Sequence, residues 1–425
     1  MQEYQLFIDN QYTPSASGVY TDDMNPATNT VYARVQNAGK ADVERVLASS
    51  AKAFETWKDV APSVREKMMI KAAALMEERA KELQDVLIDE AGSTLLKAGY
   101  ETHHTPNYLR SMAGECRRIK GETYLSDYPG VKSYAIRRPL GIVLSIAPFN
   151  FPLLLGIRKI GFALAAGNTV ILKPSEMTPV IGLKLGELFR DAGFPPGVLN
   201  VVPAVGAELG DGLITDKRVR FVTFTGSSKV GWQVGAKAAA NGKRFALELG
   251  GKNPIIVLND ADVDYAVNTA TFSNFMHQGQ ICMATNRVLV HERIAEALTE
   301  RLVAKATHLP VGDGATQQVA LGPLIDERQR DRVHAAVQAE APVRQFLQQQ
   351  VAAVRQLLIV VREAGPRPVD VDDEGTDFRR GVLGPDRRRR QQARNHQSHR
   401  QKGGAHAPRF YQPARQTHLS VPVVV

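Results

Sequence analysis

Between residues 41 and 57, and again from 62 to 90, apolar side chains recur three and four positions apart, as at Val43, Val46, Leu47 and Phe54. That spacing lines one face of a helix and predicts amphipathic helices over both segments. Pro62 suits a first helical turn, where its missing N–H has no intrahelical partner to lose. From Gly141 onward the pattern changes to short apolar runs at 142–146, 169–172, 199–202, 219–224 and 244–247. A helix-like stretch follows each of them, the alternation that predicts strand–helix–strand units, a parallel sheet and a nucleotide-binding architecture. Residues 122–138 read as two extended segments around the turn Asp127-Tyr128-Pro129-Gly130, a hairpin. A second set begins near Gly250, with strands at 255–258 and 287–290 and helices at 263–277 and 294–307. The most apolar stretch, 140–157, is broken by Pro148, Asn150 and Pro152 and followed by Arg158 and Lys159, so a buried strand turning into a helix is expected rather than a bilayer span.

Length and charge sharpen this picture. A chain of 425 residues exceeds one small core and implies two domains. The net charge of +9 is uneven: residues 338–425 hold fifteen basic and eight acidic side chains, so the body before them is nearly neutral. A neutral body without a basic, aromatic-interleaved stripe argues against a nucleic-acid partner. The tail has 14 Arg to 1 Lys, whereas the body has 20 Arg to 18 Lys, and it includes Gln348-Gln349-Gln350 and Arg387-Arg388-Arg389-Arg390. So abrupt a change is what a reading-frame shift near Val337 would produce; a basic disordered extension is the plainer alternative. Sequencing the gene across Val337 decides between them. Two cysteines, Cys116 and Cys282, fit a reducing compartment, and the first residues carry no export signal, so a cytoplasmic protein is expected.

Candidate chemistry centres on Cys282 in Gly279-Gln280-Ile281-Cys282 and Glu248 in Glu248-Leu249-Gly250-Gly251-Lys252. A thiolate can attack a carbonyl carbon, and a separate carboxylate can activate the water that releases the product. Either residue alone has a plainer reading: free cysteines are mostly packed in cores, and a lone glutamate at a strand end is usually a solvated charge. Asn150, between Phe149 and Phe151, would ordinarily be a turn residue; functionally, its side-chain N–H could meet an oxyanion beside the backbone N–H of Cys282. Phe151, Leu155, Ile281 and Met283 would then face the substrate, although each could equally be core. Gly226-Ser227-Ser228-Lys229-Val230-Gly231 opens a helix after a strand, where backbone N–H groups could meet a pyrophosphate. His103 and His104 lack partners at ligand spacing, so no metal is expected, and Cys116 reads as structural.

Five of these segments resemble those of the aldehyde dehydrogenase family, in its order and spacing over roughly residues 5–336. They are Pro148-Phe149-Asn150-Phe151-Pro152, Leu172-Lys173-Pro174-Ser175-Glu176, Phe224-Thr225-Gly226-Ser227, the segment from Phe245 to Pro254, and Gly279 to Arg287. One match would be weak; five in order are strong. The resemblance implies an α/β two-domain fold with a Rossmann-like parallel sheet and a second α/β catalytic domain. Its boundaries are 1–121 with 139–248 for NAD binding, 122–138 for an oligomerisation hairpin, 249–337 for the incomplete catalytic domain and 338–425 for the tail. It implies oxidation of an aldehyde to a carboxylic acid, with Cys282 as nucleophile, Glu248 as base and Asn150 as oxyanion donor. Lys173 and Glu176 would hold the adenosine ribose, with Gly226, Ser227, Gly231 and Leu249 also against the cofactor. A carboxylate at Glu176 would repel a 2′-phosphate, favouring NAD, although relatives with this motif also accept NADP. The segment His277-Gln278-Gly279-Gln280-Ile281-Cys282-Met283 looks closest to the benzaldehyde- and vanillin-type branch.

The family's Glu-x-Phe-Gly-Pro segment, its following substrate-mouth aromatics and its last oligomer-joining strand are missing from the sequence; Gly384-Pro385 is only an echo. Loss of that strand is expected to leave the second sheet with an unpaired edge and to weaken the homo-oligomer that the family forms. Two rivals follow: a coenzyme-A-acylating dehydrogenase, against which Glu248 argues, and a catalytically inactive or damaged relative.

Overall fold

The apolar runs in the middle of the chain become neighbouring strands of one sheet. The computed structural model describes residues 2–205, 208–339 and 358–361. The chain opens with β1 (Gln2–Tyr4), β2 (Leu6–Ile8), β3 (Gln11–Thr13), β4 (Tyr20–Asn25) and β5 (Thr30–Gln36). Helices α1 (Lys40–Trp57), α2 (Pro62–Glu78), α3 (Ala80–Ala91) and α4 (Leu95–Glu115) follow, then the hairpin β6 (Glu122–Tyr124) and β7 (Ser133–Ala135). Next come β8 (Ile142–Ile146), α5 (Pro152–Ala165), β9 (Thr169–Lys173), α6 (Pro179–Ala192), β10 (Leu199–Val201), α7 (Glu208–Thr215), β11 (Val219–Thr225), α8 (Ser228–Ala240) and β12 (Arg244–Glu248). The last elements are β13 (Asn253–Val257), α9 (Val263–Phe275), β14 (Thr285–His291), α10 (Glu292–Thr307), α11 (Glu327–Ala339) and β15 (Leu358–Val361).

The principal sheet has the order β12-β11-β8-β9-β10-β2-β3, with the first five strands parallel and β2–β3 added antiparallel at one end. In β8 and β9 every residue but the last is buried, which is why they read as unbroken apolar runs: helices cover both faces. One large core beneath α1 to α6 contains Trp57, Phe7, Phe189 and Met69 with no solvent exposure or almost none. The Trp57 indole N–H donates to the Asn168 carbonyl at 3.1 Å, so the ring is buried without orphaning its donor. β12 is the sheet edge, and four of its five residues are exposed.

A smaller sheet, β13-β14-β15, is parallel throughout and packs its inner face on α9 and α10 through Val257, Val288, Val290, Ala266, Leu298 and Leu302. The hairpin β6–β7 pairs Thr123 with Tyr134 and is exposed along its length.

Two expectations are corrected. Residues 62–90 form two helices, because Arg79 (φ −97°, ψ 20°) leaves helical geometry while the apolar phase continues across it. The helix expected over 263–277 stops at Phe275, where left-handed backbone takes over. The five N-terminal strands carry no clean alternation and were not anticipated. Residue 337 falls inside α11, and β15 lies beyond it and pairs with β14, which thus has a partner on each side. The rest of the expected disordered tail lies outside the described residues.

Candidate active site

The chain builds the sheet outward from β8, first to β9 and β10, then returns to place β11 and β12 on the other flank. Such a reversal opens a crevice at the carboxyl ends of the two strands on either side of it, here β8 and β11. Residues 147–151 and 226–227 leave the sheet at that place.

Asn150 precedes α5, whose first turn is prepared by Pro152. Its amide Nδ2 donates to the Gln280 carbonyl at 2.8 Å and its Oδ1 accepts the Phe151 N–H at 3.1 Å. A carboxamide nitrogen carries two hydrogens, so this bond uses one and leaves the second for another acceptor. Gln280 stands two residues before Cys282. The link joins the segment after β8 to the thiol-bearing segment although 130 residues separate them.

The approach to Cys282 is a sharp turn. His277 (φ +48°), Gln278 (φ +57°) and Gly279 (φ +72°) are all left-handed, and the first two are strained for side-chain-bearing residues. Beyond the turn Cys282 is exposed, not packed in a core. Asn253, the first residue of β13, pins it: its Nδ2 donates to the carbonyls of Cys282 (2.8 Å) and Ala284 (3.0 Å), and its backbone N–H donates to Asn286 Oδ1 (3.2 Å). The Ile325 N–H holds Gln280 Oε1 at 3.0 Å.

Glu248 ends β12 opposite Thr225, and its carbonyl accepts the Gly226 N–H at 3.1 Å, which ties it to the end of β11. Its side chain is exposed. Facing it is a residue that sequence reasoning passed over. Lys159 lies on the buried side of α5, with Nζ donating to Thr223 Oγ1 at 2.9 Å and to the Phe224 carbonyl at 3.4 Å. Burial pushes its ammonium from the ordinary 10.5 down to about 8, Glu248 opposing and Arg158 adding to the fall. The signal was available: Lys159 is in helical phase with Pro152, Leu155, Gly156 and Ala163, an uncharged face where an ammonium is costly without a partner.

This amine makes stability depend on pH. Between about 8 and 10.5 the unfolded chain holds a proton that the folded chain has released. Unfolding free energy attributable to Lys159 therefore rises with pH through that window, and the penalty is fully present below it. Relative to Lys159→Met, the wild-type urea midpoint is expected to climb between pH 7.5 and 10; parallel midpoints at all pH values would show that the amine is not held in a perturbed state.

The expected cofactor residues gather at the same sheet ends. Lys173 closes β9 opposite Ile146, half-buried, its ammonium lowered by burial and raised by Glu176. Ser227 caps α8, its hydroxyl accepting the Val230 N–H at 3.4 Å, and Ser228 and Lys229 are exposed at that helix end. These groups suit a dinucleotide: a helix N-terminus for the pyrophosphate, and an ammonium–carboxylate pair for ribose hydroxyls. Gly231 contributes differently from the expectation. Its N–H is spent on the Ser227 carbonyl at 2.9 Å, and a Cβ there would land on the Leu249 side chain. Its role is to let Leu249 lie against α8.

On the substrate side the residues divide. Met283 is 69% exposed, while Leu155 and Ile281 are half-buried. Phe151 departs from its expected place facing the substrate: it is 5% exposed, set between α4 and the turn before Cys282, with the Lys97 ammonium 4.9 Å from its ring and the His277 ring at 5.7 Å. A cavity of about 230 Å³ lined by Leu96, Lys97, Phe275, His277, Leu309 and Leu321 adjoins that cluster and is lined by neither Cys282 nor Glu248. The His103 and His104 rings lie edge to face at 4.9 Å, and His104 packs on Tyr100. Among the described residues no three acidic, histidine or cysteine side chains could hold a metal ion, and no helix is long and apolar enough to cross a membrane.

Residues 12–345 match the profile of the aldehyde dehydrogenase family. The vanillin dehydrogenase of an Amycolatopsis species is 43% identical over 315 residues, 74% of this chain and 64% of that one, so the chain spans about two thirds of that relative's length. A benzaldehyde dehydrogenase of Bacillus subtilis is 38% identical over 78% of this chain and 69% of its own. Among solved structures, a salicylaldehyde dehydrogenase of Pseudomonas putida complexed with salicylaldehyde superposes with a TM-score of 0.78 at 36% identity, covering 81% of this chain and 72% of that one. A betaine aldehyde dehydrogenase of Staphylococcus aureus in complex with NAD+ reaches 0.77 at 32% identity, covering 79% and 67%. Sequence and fold thus agree over the same stretch that builds the crevice, and the chain belongs to the aldehyde dehydrogenase family.

Proposed function

We propose that the chain oxidises an aromatic aldehyde to its carboxylic acid with NAD as hydride acceptor. The observation that supports this reading is the hydrogen bond from Asn150 to Gln280, which ties an amide donor to the residue two positions before an exposed cysteine. Cys282 Sγ forms a bond to the aldehyde carbon, and the carbonyl oxygen becomes an oxyanion that the second Asn150 N–H and the Cys282 backbone N–H can stabilise. NAD, when bound, supplies the site that takes the hydride and so allows the thioester to form. Glu248 then removes a proton from water as its oxygen attacks the thioester carbon, and the carbon–sulfur bond breaks to release the acid and the thiolate. Lys159, whose ammonium Glu248 helps to keep protonated against burial, would place positive charge in the neighbourhood of that carboxylate.

The principal sheet would hold the dinucleotide through Lys173, Glu176, Gly226 and Ser227, while β13 to β15 support the thiol segment. The aromatic preference draws on the relatives, which act on vanillin, benzaldehyde and salicylaldehyde by their names. The hairpin β6–β7, exposed along its length, is where a neighbouring subunit would add. Cytoplasmic residence is consistent with two free cysteines.

The deciding experiment mixes the purified chain with NAD and benzaldehyde and follows the reduced-nicotinamide absorbance. A rise that needs NAD supports the reading. The rival reading of an inactive relative draws on the Glu-x-Phe-Gly-Pro segment that residues 338–425 do not contain. It predicts no rise while Cys282 remains open to alkylation. Asn150→Ala is expected to lower kcat by about two to three powers of ten with little change in NAD affinity. A loss confined to KM would remove Asn150 from the oxyanion site.

A further inference from the structure

Two acidic and basic side chains on α4 are buried where neither the sheet nor the cofactor needs them. Lys97 and Glu101 form an ion pair at 2.6 Å with side chains 3% and 0% exposed. Lys97 Nζ also donates to Ser93 Oγ at 2.9 Å. Burying two charges costs about as much as their attraction returns, so such a pair is weak evidence of stability and asks for another reason.

Their contacts supply one. Glu101 Oε2 accepts the Leu154 N–H at 3.0 Å, one of the donors that the first turn of α5 leaves without an intrahelical partner. A carboxylate also suits that positive helix end. Asn150 lies four residues before Leu154, so the bond fixes the direction in which the Asn150 segment leaves α5. Lys97 stands 4.9 Å from the centroid of Phe151, whose ring also meets those of His277 at 5.7 Å and 66° and Tyr100 at 6.4 Å and 76°. His277 is 3% exposed, and neither ring nitrogen has a hydrogen-bond partner, so packing alone holds it. It is also the first of the three left-handed residues that set the course of the chain into Cys282. A continuous line of contact therefore runs from Glu101 through Lys97 and Phe151 to His277, with Glu101 also holding Leu154 at the start of α5 and the Asn150–Gln280 bond closing the far side.

We propose that Glu101, with Lys97 as its counter-ion and as the group pressed on Phe151, is a positioning residue that makes the Asn150 segment and the Cys282 segment move as one body. The inference rests on the reading of Cys282 and Asn150 given above. A misplacement of about 1 Å can cost two powers of ten in rate, so a pair that holds two loops in register has a kinetic reason to be buried.

Two double variants isolate the link. Lys97→Met/Glu101→Gln and Lys97→Met/Glu101→Leu both discard the charges, so neither buries an unpaired ion. Glutamine keeps an oxygen for the Leu154 N–H; leucine does not. Hydrogen exchange of peptides spanning 150–158 and 276–284 is expected to be about tenfold faster in the leucine variant in both segments, since lost local structure opens as a unit. Acetylation of Cys282 by p-nitrophenyl acetate forms a carbon–sulfur bond as p-nitrophenolate leaves, passes through an oxyanion and needs no cofactor. It is expected to slow about tenfold, with KM unchanged, in the leucine variant relative to the glutamine variant. Alkylation by iodoacetamide, which forms no oxyanion, should be equal in the two. Phe151→Leu leaves the Glu101–Leu154 bond alone and should loosen 276–284 without loosening 153–158.

Faster exchange confined to 150–158, unaltered exchange of 276–284 in Phe151→Leu, or equal acetylation rates in the two double variants overturns the proposal. Coupled exchange in a chain that is never acetylated keeps the positioning role and removes the catalytic reading instead.

Discussion

Cys282→Ala reduces no NAD in the presence of benzaldehyde, a loss of at least about four powers of ten in kcat, comparable with removal of the nucleophile in other acyl-transfer enzymes. Because the Cys282 side chain is exposed, the substitution opens no cavity, and the unfolding free energy from urea titration should stay within about 0.5 kcal/mol of wild type. Cys116 provides an internal control: it is buried, its thiol is raised by burial, and its sulfur lies 3.8 Å from that of Met69. Alkylation of the native wild-type chain should therefore label Cys282 first, and the alanine variant should lose that rapid label. Turnover that survives Cys282→Ala would refute the mechanism outright.

Glu248→Gln separates the two halves of the reaction. The thiol attack and hydride transfer do not use the carboxylate, so one equivalent of reduced nicotinamide should appear at nearly the wild-type rate. Deacylation should then fall by about two to four powers of ten, the usual contribution of a general base. Intact-mass measurement during this burst should show one acyl group on the peptide containing Cys282. A variant that loses the burst along with the steady state would place Glu248 in binding or in the first chemical step. The substitution also strips Lys159 of its facing anion. The amine's proton affinity should fall further, because Glu248 is the group that raises it against burial and Arg158.

The hydrophobic pattern made most of the principal sheet legible, for a physical reason that applies to β8 and β9 in particular. Strands buried on both faces must be largely apolar, and residues 142–146 and 169–172, with only Ser145 and Thr169 polar, show that without any neighbour being known. The short N-terminal strands were not legible, since β1 has two exposed residues of three and β2 is wholly buried, so neither alternates. The break at Arg79 was hidden because the apolar phase runs through it, and a single non-helical residue leaves no mark on periodicity.

The site was legible as a set of types, less so as an arrangement. Glu248, Asn150 and Cys282 could be picked out because thiol, amide and carboxylate at strand ends are the groups that acyl chemistry requires. Lys159 escaped notice as one of two cations flanking an apolar run, although only Lys159 turns inward, to Thr223 and Phe224. Phe151 invited a substrate role from its place next to Asn150, yet it is spent on packing between Lys97 and His277. Gly231 looked like a phosphate contact and proved to be clearance for Leu249.

By itself, the order of residues determined the parallel alternation, the family and the chemical groups available, because burial pattern and side-chain chemistry are local properties. Only the tertiary structure decided that β11 returns beside β8 and not beyond β10, and that return opens the crevice at Asn150 and Gly226. It also decided which of several polar side chains are buried together, as Lys97, Glu101 and His277 are. Contacts across 130 residues, such as Asn150 to Gln280, depend on how sheets and helices close on one another, and no window of sequence contains them.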